Sequence, residues 1–194
     1  MADSSSSSTS INPRGTYLFH PHGDDDFEMF AVKPGQRIDT SDRLPVLHTN
    51  IGFISSKIEL HSNVEAKCIA TSKRGKRFTG RSSYEVRVIG SPPVSLDRES
   101  RWGTSNRVFN LYDDSQCRVL VEYTDFTIED AANGRVLATY KSKAGTTKKD
   151  GILTLSANDI EKESVKLIFM VVLVVSMVSA CETKLIEIDG EASA

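Results

Sequence analysis

Leu167 to Cys181, LIFMVVLVVSMVSAC, is the stretch whose reading decides the fold. Elsewhere apolar and polar residues are mixed; here the chain is solidly apolar, closed by Lys166 on one side and by Glu182 and Lys184 on the other. A membrane-spanning helix needs about 20 apolar residues, with a lower limit near 17, and this run falls short of that limit. Ser176, Ser179 and Cys181 weaken its second half further. A strongly apolar run of about 10–14 residues is more typical of a buried core helix. Asn158-Asp159 offer an N-cap, Glu161 and Glu163 suit a first helical turn, and EKESVK supplies good helix formers. On the residues alone the run can be a helix buried within the protein, a C-terminal membrane anchor, or a pair of strands.

Outward from this run the chain is β in character. Residues 1–13 are Ser-rich and nearly without apolar side chains, and predict a disordered tail. Short strand-like runs follow at Tyr17–Phe19, Phe27–Val32, two pieces within Leu44–His61 around Asn50 and Gly52, Glu65–Ala70 and Tyr84–Ile89. Residues 91–106 read as a long loop pinned by Trp102. The regular part comes next: Arg107–Tyr112, Cys117–Tyr123, Phe126–Asp130, Arg135–Lys141 and Gly151–Ser156, with Asn133-Gly134 as a hairpin signal. That is roughly nine to eleven short strands with no strand–helix alternation, which disfavours a parallel α/β sheet. A helix apolar all round needs apolar walls all round, and a barrel of about ten or more strands has a lumen to fill. The predicted fold is therefore mainly β: a closed antiparallel barrel with a central hydrophobic C-terminal helix.

The 194 residues suffice for one domain with tails, and a formal net charge of −2 implies no bulk attraction to nucleic acid. The charge comes in blocks. Residues 65–77 gather Lys67, Lys73, Arg74, Lys76 and Arg77 against Glu65; residues 110–130 are acidic; residues 131–149 carry Arg135, Lys141, Lys143, Lys148 and Lys149 with no acid. The three cysteines, Cys68, Cys117 and Cys181, lack zinc-site spacing and sit among apolar neighbours. The N-terminus has no basic start and no apolar core, so it does not read as a secretory signal, and an intracellular setting is expected. His20-Pro21-His22 beside Asp24-Asp25-Asp26 has metal-capable side chains in a polar, flexible segment and reads as a solvated loop, not a site. There is no G-x-S-x-G, and Lys73-Arg74-Gly75-Lys76-Arg77 lacks the upstream Gly and following Ser/Thr of a P-loop. No catalytic residue, metal or cofactor is assigned.

A family resemblance rests on the C-terminal half. Ile128-x-Asp130-x-x-x-Gly134-x-x-x-Ala138 between two strands, a further strand at Gly151–Leu155, and a very hydrophobic last helix from about Lys162 resemble the tubby C-terminal-like superfamily, which includes tubby proteins, LURP-one-related proteins and phospholipid scramblases. The resemblance covers about residues 105–183; residues 16–104 match only as several strands. It implies a barrel of twelve strands threaded by the C-terminal helix, spanning 14–189, with a flexible end at 190–194. Two departures stand out. Lys184–Asp189 (KLIEID) continues past the helix and reads as one more strand. The acidic calcium segment and clustered cysteines of scramblase-like members are absent, with Asp150, Asp159, Glu161 and Glu163 reading as helix-start acids, so calcium-dependent lipid transport is not expected.

The best functional candidates are the two basic blocks. Lys73, Arg74, Lys76 and Arg77, together with Lys141, Lys143, Lys148 and Lys149, suit phosphate recognition if the barrel brings them into one patch. Tubby-type members bind phosphoinositides through surface bases, so the resemblance implies a non-enzymatic partner of anionic membrane lipid, transferred by charge and not by aligned residues. The alternatives are a tail-anchored membrane protein and a protein-interaction module that uses the Trp102 loop. Nucleic acid is not an expected partner, because the basic blocks lack interleaved aromatics.

Overall fold

The computed structural model describes residues 11–22, 26–33, 44–52, 57–74, 83–100, 105–142 and 150–191, with the side chains of the last helix described as far as Met177. The chain forms β1 (Thr16–His22), β2 (Asp26–Val32), β3 (Leu47–Gly52), β4 (Lys57–Ser62), β5 (Lys67–Arg74), β6 (Tyr84–Val88), β7 (Val94–Arg98), β8 (Arg107–Asn110), β9 (Gln116–Glu122), β10 (Asp125–Asp130), β11 (Val136–Ser142), β12 (Gly151–Leu155) and α1 (Lys162–Glu191). The twelve strands close into an antiparallel barrel in which each strand pairs with its neighbours in sequence and β12 closes on β1. The expected fold class is observed.

Period-two alternation explains the wall. Tyr17 and Phe19, Ile58 and Leu60, Val86 and Val88, Phe126 and Ile128, and Leu153 and Leu155 point into the lumen and are buried. Outward positions carry residues such as Glu59, Glu85, Arg87 and Arg118. Twelve strands about 4.8 Å apart make a ring roughly 18 Å across before strand tilt is allowed for. A helix with its side chains is about 10–12 Å wide and fills that space. In α1 the residues from Leu167 to Val175 are all buried. The opening stretch is therefore the axle of the barrel. Among the described residues no helix is long and apolar enough to cross a membrane.

The axle is off-centre for a visible reason. Bulky rings line the side made by β1, β2, β10 and β11. Phe169 of α1 stacks on Phe19 at 5.6 Å and meets Tyr17 edge-on at 5.1 Å, while Tyr140 stacks on Phe126 at 4.8 Å. The helix packs most closely on β5 and β6, where Ala70, Ser72, Val86 and Val88 leave room. Ser72 is buried there, with no hydrogen-bond partner for its hydroxyl among the described residues.

Because every pairing is antiparallel, odd strands run one way and even strands the other, which defines two rims. The chain reaches α1 from the end of β12. Ser164 Oγ accepts a hydrogen bond from the Tyr112 N–H, just beyond the end of β8, at 3.2 Å. The helix thus starts at the rim where even strands end (the proximal rim) and points toward the rim where odd strands end (the distal rim).

Several local expectations are corrected. Asn50 and Gly52 lie within β3, where Thr49 and Ile51 are the lumen-facing partners of that strand's alternation. Residues 91–106 hold β7, whose lumen-facing apolar residues are only Val94 and Leu96, too few to register as a periodic run. Trp102 lies outside the described residues. Asn158 and Asp159 do not cap α1: Arg14 Nε donates to Asn158 Oδ1, Arg135 reaches Asp159 at 3.1 Å, and the first helical carbonyl to accept is that of Glu161, from Val165. Lys184–Asp189 is not a strand; the helix continues to Glu191.

The Ile128–Ala138 pattern has a physical basis in the β10–β11 turn. Ile128 and Ala138 are buried wall residues. Asp130 accepts from Ala132 N–H at 2.9 Å and from Asn133 Nδ2 at 2.8 Å, and Gly134 takes φ +70°, a conformation that penalises any side chain. Gly151 is required differently. A Cβ there would lie 2.2 Å from Tyr140 Oη, and Tyr140 cannot yield because Phe126 and Phe19 pack against its ring. Gly151→Ala is expected to lower stability by about 1–3 kcal/mol. Phe169→Ala is expected to lower it by about 3–5 kcal/mol. Ser72→Ala is expected to be neutral or stabilising, because it removes a buried hydroxyl without orphaning a partner. Urea unfolding of the three variants checks this order.

Candidate functional site

The two basic blocks begin at the same rim but on opposite sides. Lys73 and Arg74 are the last residues of β5, and Lys141 is the penultimate residue of β11; both strands end at the distal rim. Around the ring β6 to β10 separate them one way, and β4 to β1 with β12 the other. The described bases of the two blocks, Lys73 and Arg74 on β5 and Lys141 on β11, therefore stand across a mouth roughly 18 Å wide. Lys76, Arg77, Lys143, Lys148 and Lys149 lie outside the described residues.

The β5 corner is the less neutralised of the two. Lys73 and Arg74 are exposed, and neither makes an ion pair among the described residues. They are strand residues and not loop residues, with Lys73 opposite Lys57 on β4 and Glu85 on β6, and Arg74 opposite Tyr84. Lys57 is already engaged. Its hydrogen bond with Glu59 raises the amine above its ordinary range, and the same bond, helped by His61 at 3.2 Å, holds Glu59 below the usual carboxylate range.

Two arginines escaped sequence reasoning. Alternation puts Arg74, Tyr84, Arg98 and Arg107 on the lumen side of β5, β6, β7 and β8 at the distal rim, in line with Ser72, Val86, Leu96 and Phe109. Arg107 is 1% exposed, its guanidinium lies 5.4 Å from the Tyr84 ring centroid, and it pairs in register with Arg98. The one sequence signal was the Arg that opens RVFNLY, two residues before a wall Phe. Nothing local announced that Arg98 lies opposite it.

Lys141 is held. Its Nζ lies 3.6 Å from Asp125, whose carboxylate also accepts from the backbone N–H and the hydroxyl of Ser142, each at 2.8 Å. Burial pushes the Asp125 carboxyl up, but the two bonds from Ser142 and the Lys141 charge outweigh it and leave it below the ordinary carboxylate range.

No metal centre is assembled among the described residues. His20 faces Asp150 at 3.3 Å and His22 faces Glu28 at 3.7 Å, and no group of His, Cys, Asp and Glu is placed to hold a metal ion. Asp24 and Asp25 lie outside the described residues. Burial, then the negative charges of Asp130 and Asp113, push the Cys117 thiol up to about 12, which keeps it protonated at neutral pH. Burial also raises the Cys68 thiol. No family model, curated protein or solved structure matches the chain.

The Asp125 shift gives a pH test. A carboxyl lowered by folding stabilises the fold fully above its unfolded value, near 3.8, and this contribution fades as pH falls through the folded value. Asp125→Asn is expected to destabilise the protein at pH 7 and to flatten the loss of stability below about pH 4. Equal acid limbs in urea titrations of the two proteins would contradict this.

Proposed function

We propose that the protein is a non-enzymatic, tubby-like barrel that docks on an anionic membrane surface through its distal rim, led by the β5 corner. The carrying observation is the placement of Lys73 and Arg74, exposed at a rim and without ion pairs among the described residues. Bases spread across a wide mouth suit a plane of headgroups better than a single small ligand. Lys141 is the weaker contributor on this reading, because Asp125 competes for it. A closed barrel around a C-terminal helix is the arrangement that the tubby C-terminal-like resemblance implies, and it supports that relationship. It carries nothing about lipid by itself. The distal rim is also the end toward which α1 points, so docking there leaves the proximal turns facing the cell interior in a peripheral cytoplasmic protein.

Each Lys or Arg near an anionic surface contributes about 1 kcal/mol. Replacing both Lys73 and Arg74 by Ala is expected to weaken binding to phosphoinositide-containing phosphatidylcholine vesicles by roughly thirtyfold. Lys141→Ala is expected to do less. Cosedimentation at several salt concentrations measures this. Binding that is equal on pure phosphatidylcholine, or that survives the double substitution, removes the proposal.

A further inference from the structure

Two seams of the barrel, β2–β3 and β7–β8, hold only two residue pairs in register, and at the β7–β8 seam the gap opens into a cleft. In register, β7 meets β8 only at Asp97–Val108 and Arg98–Arg107, while β6–β7 pairing continues to Val86–Val94 and β8–β9 pairing to Asn110–Gln116. Val94–Leu96 on one side and Phe109–Asn110 on the other therefore each keep one neighbour and lack a registered partner across the seam. The Glu99 N–H donates to the Asn106 carbonyl at 3.0 Å, which sets the alternation. Counting by twos, Asp97 and Ser95 on β7, and Val108 and Asn110 on β8, aim their backbone N–H and C=O groups across the seam. Beyond Asp97 and Val108 the seam opens into a cleft of about 410 Å³ that reaches the proximal rim, with Pro92 and Pro93 at its end. That volume lies within the usual range for a ligand site, about 300–1,000 Å³.

The cleft carries its own chemistry. Val94, Val108 and Leu111 supply apolar surface, and Asp97 and Asp114 supply two carboxylates. Neither Asp97 nor Asp114 makes an ion pair among the described residues, whereas Glu59, Glu129 and Asp125 on the wall each face a base. A strand edge beside apolar pockets and uncompensated negative charge matches one kind of occupant. We propose that the split β7–β8 seam binds an extended peptide segment that alternates apolar with Lys or Arg residues. Its backbone hydrogen-bonds to Ser95 and Asn110, and its cationic side chains pair with Asp97 and Asp114. Proline at positions 92 and 93 supplies no N–H to compete for the segment's carbonyls. The site lies toward the rim opposite the proposed membrane face, so the two readings stand or fall separately.

The test uses the full chain and two fluorescein-labelled heptapeptides, one alternating lysine with valine and one with glutamate in the lysine positions. The lysine peptide is expected to bind at least tenfold more tightly by fluorescence anisotropy. Asp97→Asn combined with Asp114→Asn is expected to remove most of that difference, with an unchanged melting curve as the control for folding. Backbone N-methylation of the lysine peptide is expected to abolish binding, and amide resonances of Ser95 and Asn110 are expected to shift on titration. Equal binding of the two peptides, indifference to the Asp substitutions, retention after N-methylation, or shifts confined to the distal rim would each overturn the proposal. So would self-association of the free chain through the seam, which would make a second copy the occupant.

Discussion

The contact between α1 and the lumen wall is the constraint on which the rest of the structure depends. A helix apolar on every face cannot stand in water, and twelve strands cannot close around an empty cylinder of that width without forfeiting the packing density of a protein interior. Each solves the other's problem. Ser176 is still buried, and its hydroxyl donates to the Leu173 carbonyl at 2.9 Å instead of seeking a wall partner.

That contact is graded around the ring, and the gradation explains residues that otherwise look arbitrary. Phe19, Phe126, Tyr140 and Phe169 occupy one side as a ring cluster, and Gly151 is small because Tyr140 lies over it. The opposite side is built from Ala70, Ser72 and two valines, and the helix leans there. The wall itself is assembled from hairpins between consecutive strands, so most pairing is local. The β1–β12 closure joins the two ends of the strand sequence and is the entropically demanding step.

The two rims have different characters. At the proximal rim turns are tied to one another: Arg135 to Asp159, Arg14 to Asn158, Ala157 N–H to the Pro13 carbonyl. These bonds fix how the chain turns from β12 into the helix, and they take the side chains that sequence reasoning had assigned to a cap. At the distal rim the described bases range from held, as Lys57 and Lys141 are, to exposed and without an ion pair among the described residues, as Lys73 and Arg74 are. A count of basic residues treats these alike; only the neighbouring carboxylates distinguish them.

Much of the fold was legible because its causes are local. Alternation along residues 107–155, the Asp130–Gly134 turn chemistry and an apolar run too short for a bilayer point to strands, hairpins and a buried helix without any knowledge of contacts. What escaped was decided at long range. Residues of β7 became a strand because β6 stands beside them, not because Val94 and Leu96 announce one. Lys184–Asp189 alternates like a strand but continues the helix that precedes it. The candidate site was half legible for the same reason. Composition marks Lys73, Arg74 and Lys141 as basic, but ring order places them across the mouth, and strand register brings Arg98 opposite Arg107 and splits the seam beside Ser95 and Asn110. Sequence by itself determined which segments pair with water and which with each other's apolar faces. Tertiary structure decided who stands next to whom, because register and ring order are set by closure of the whole barrel around its helix.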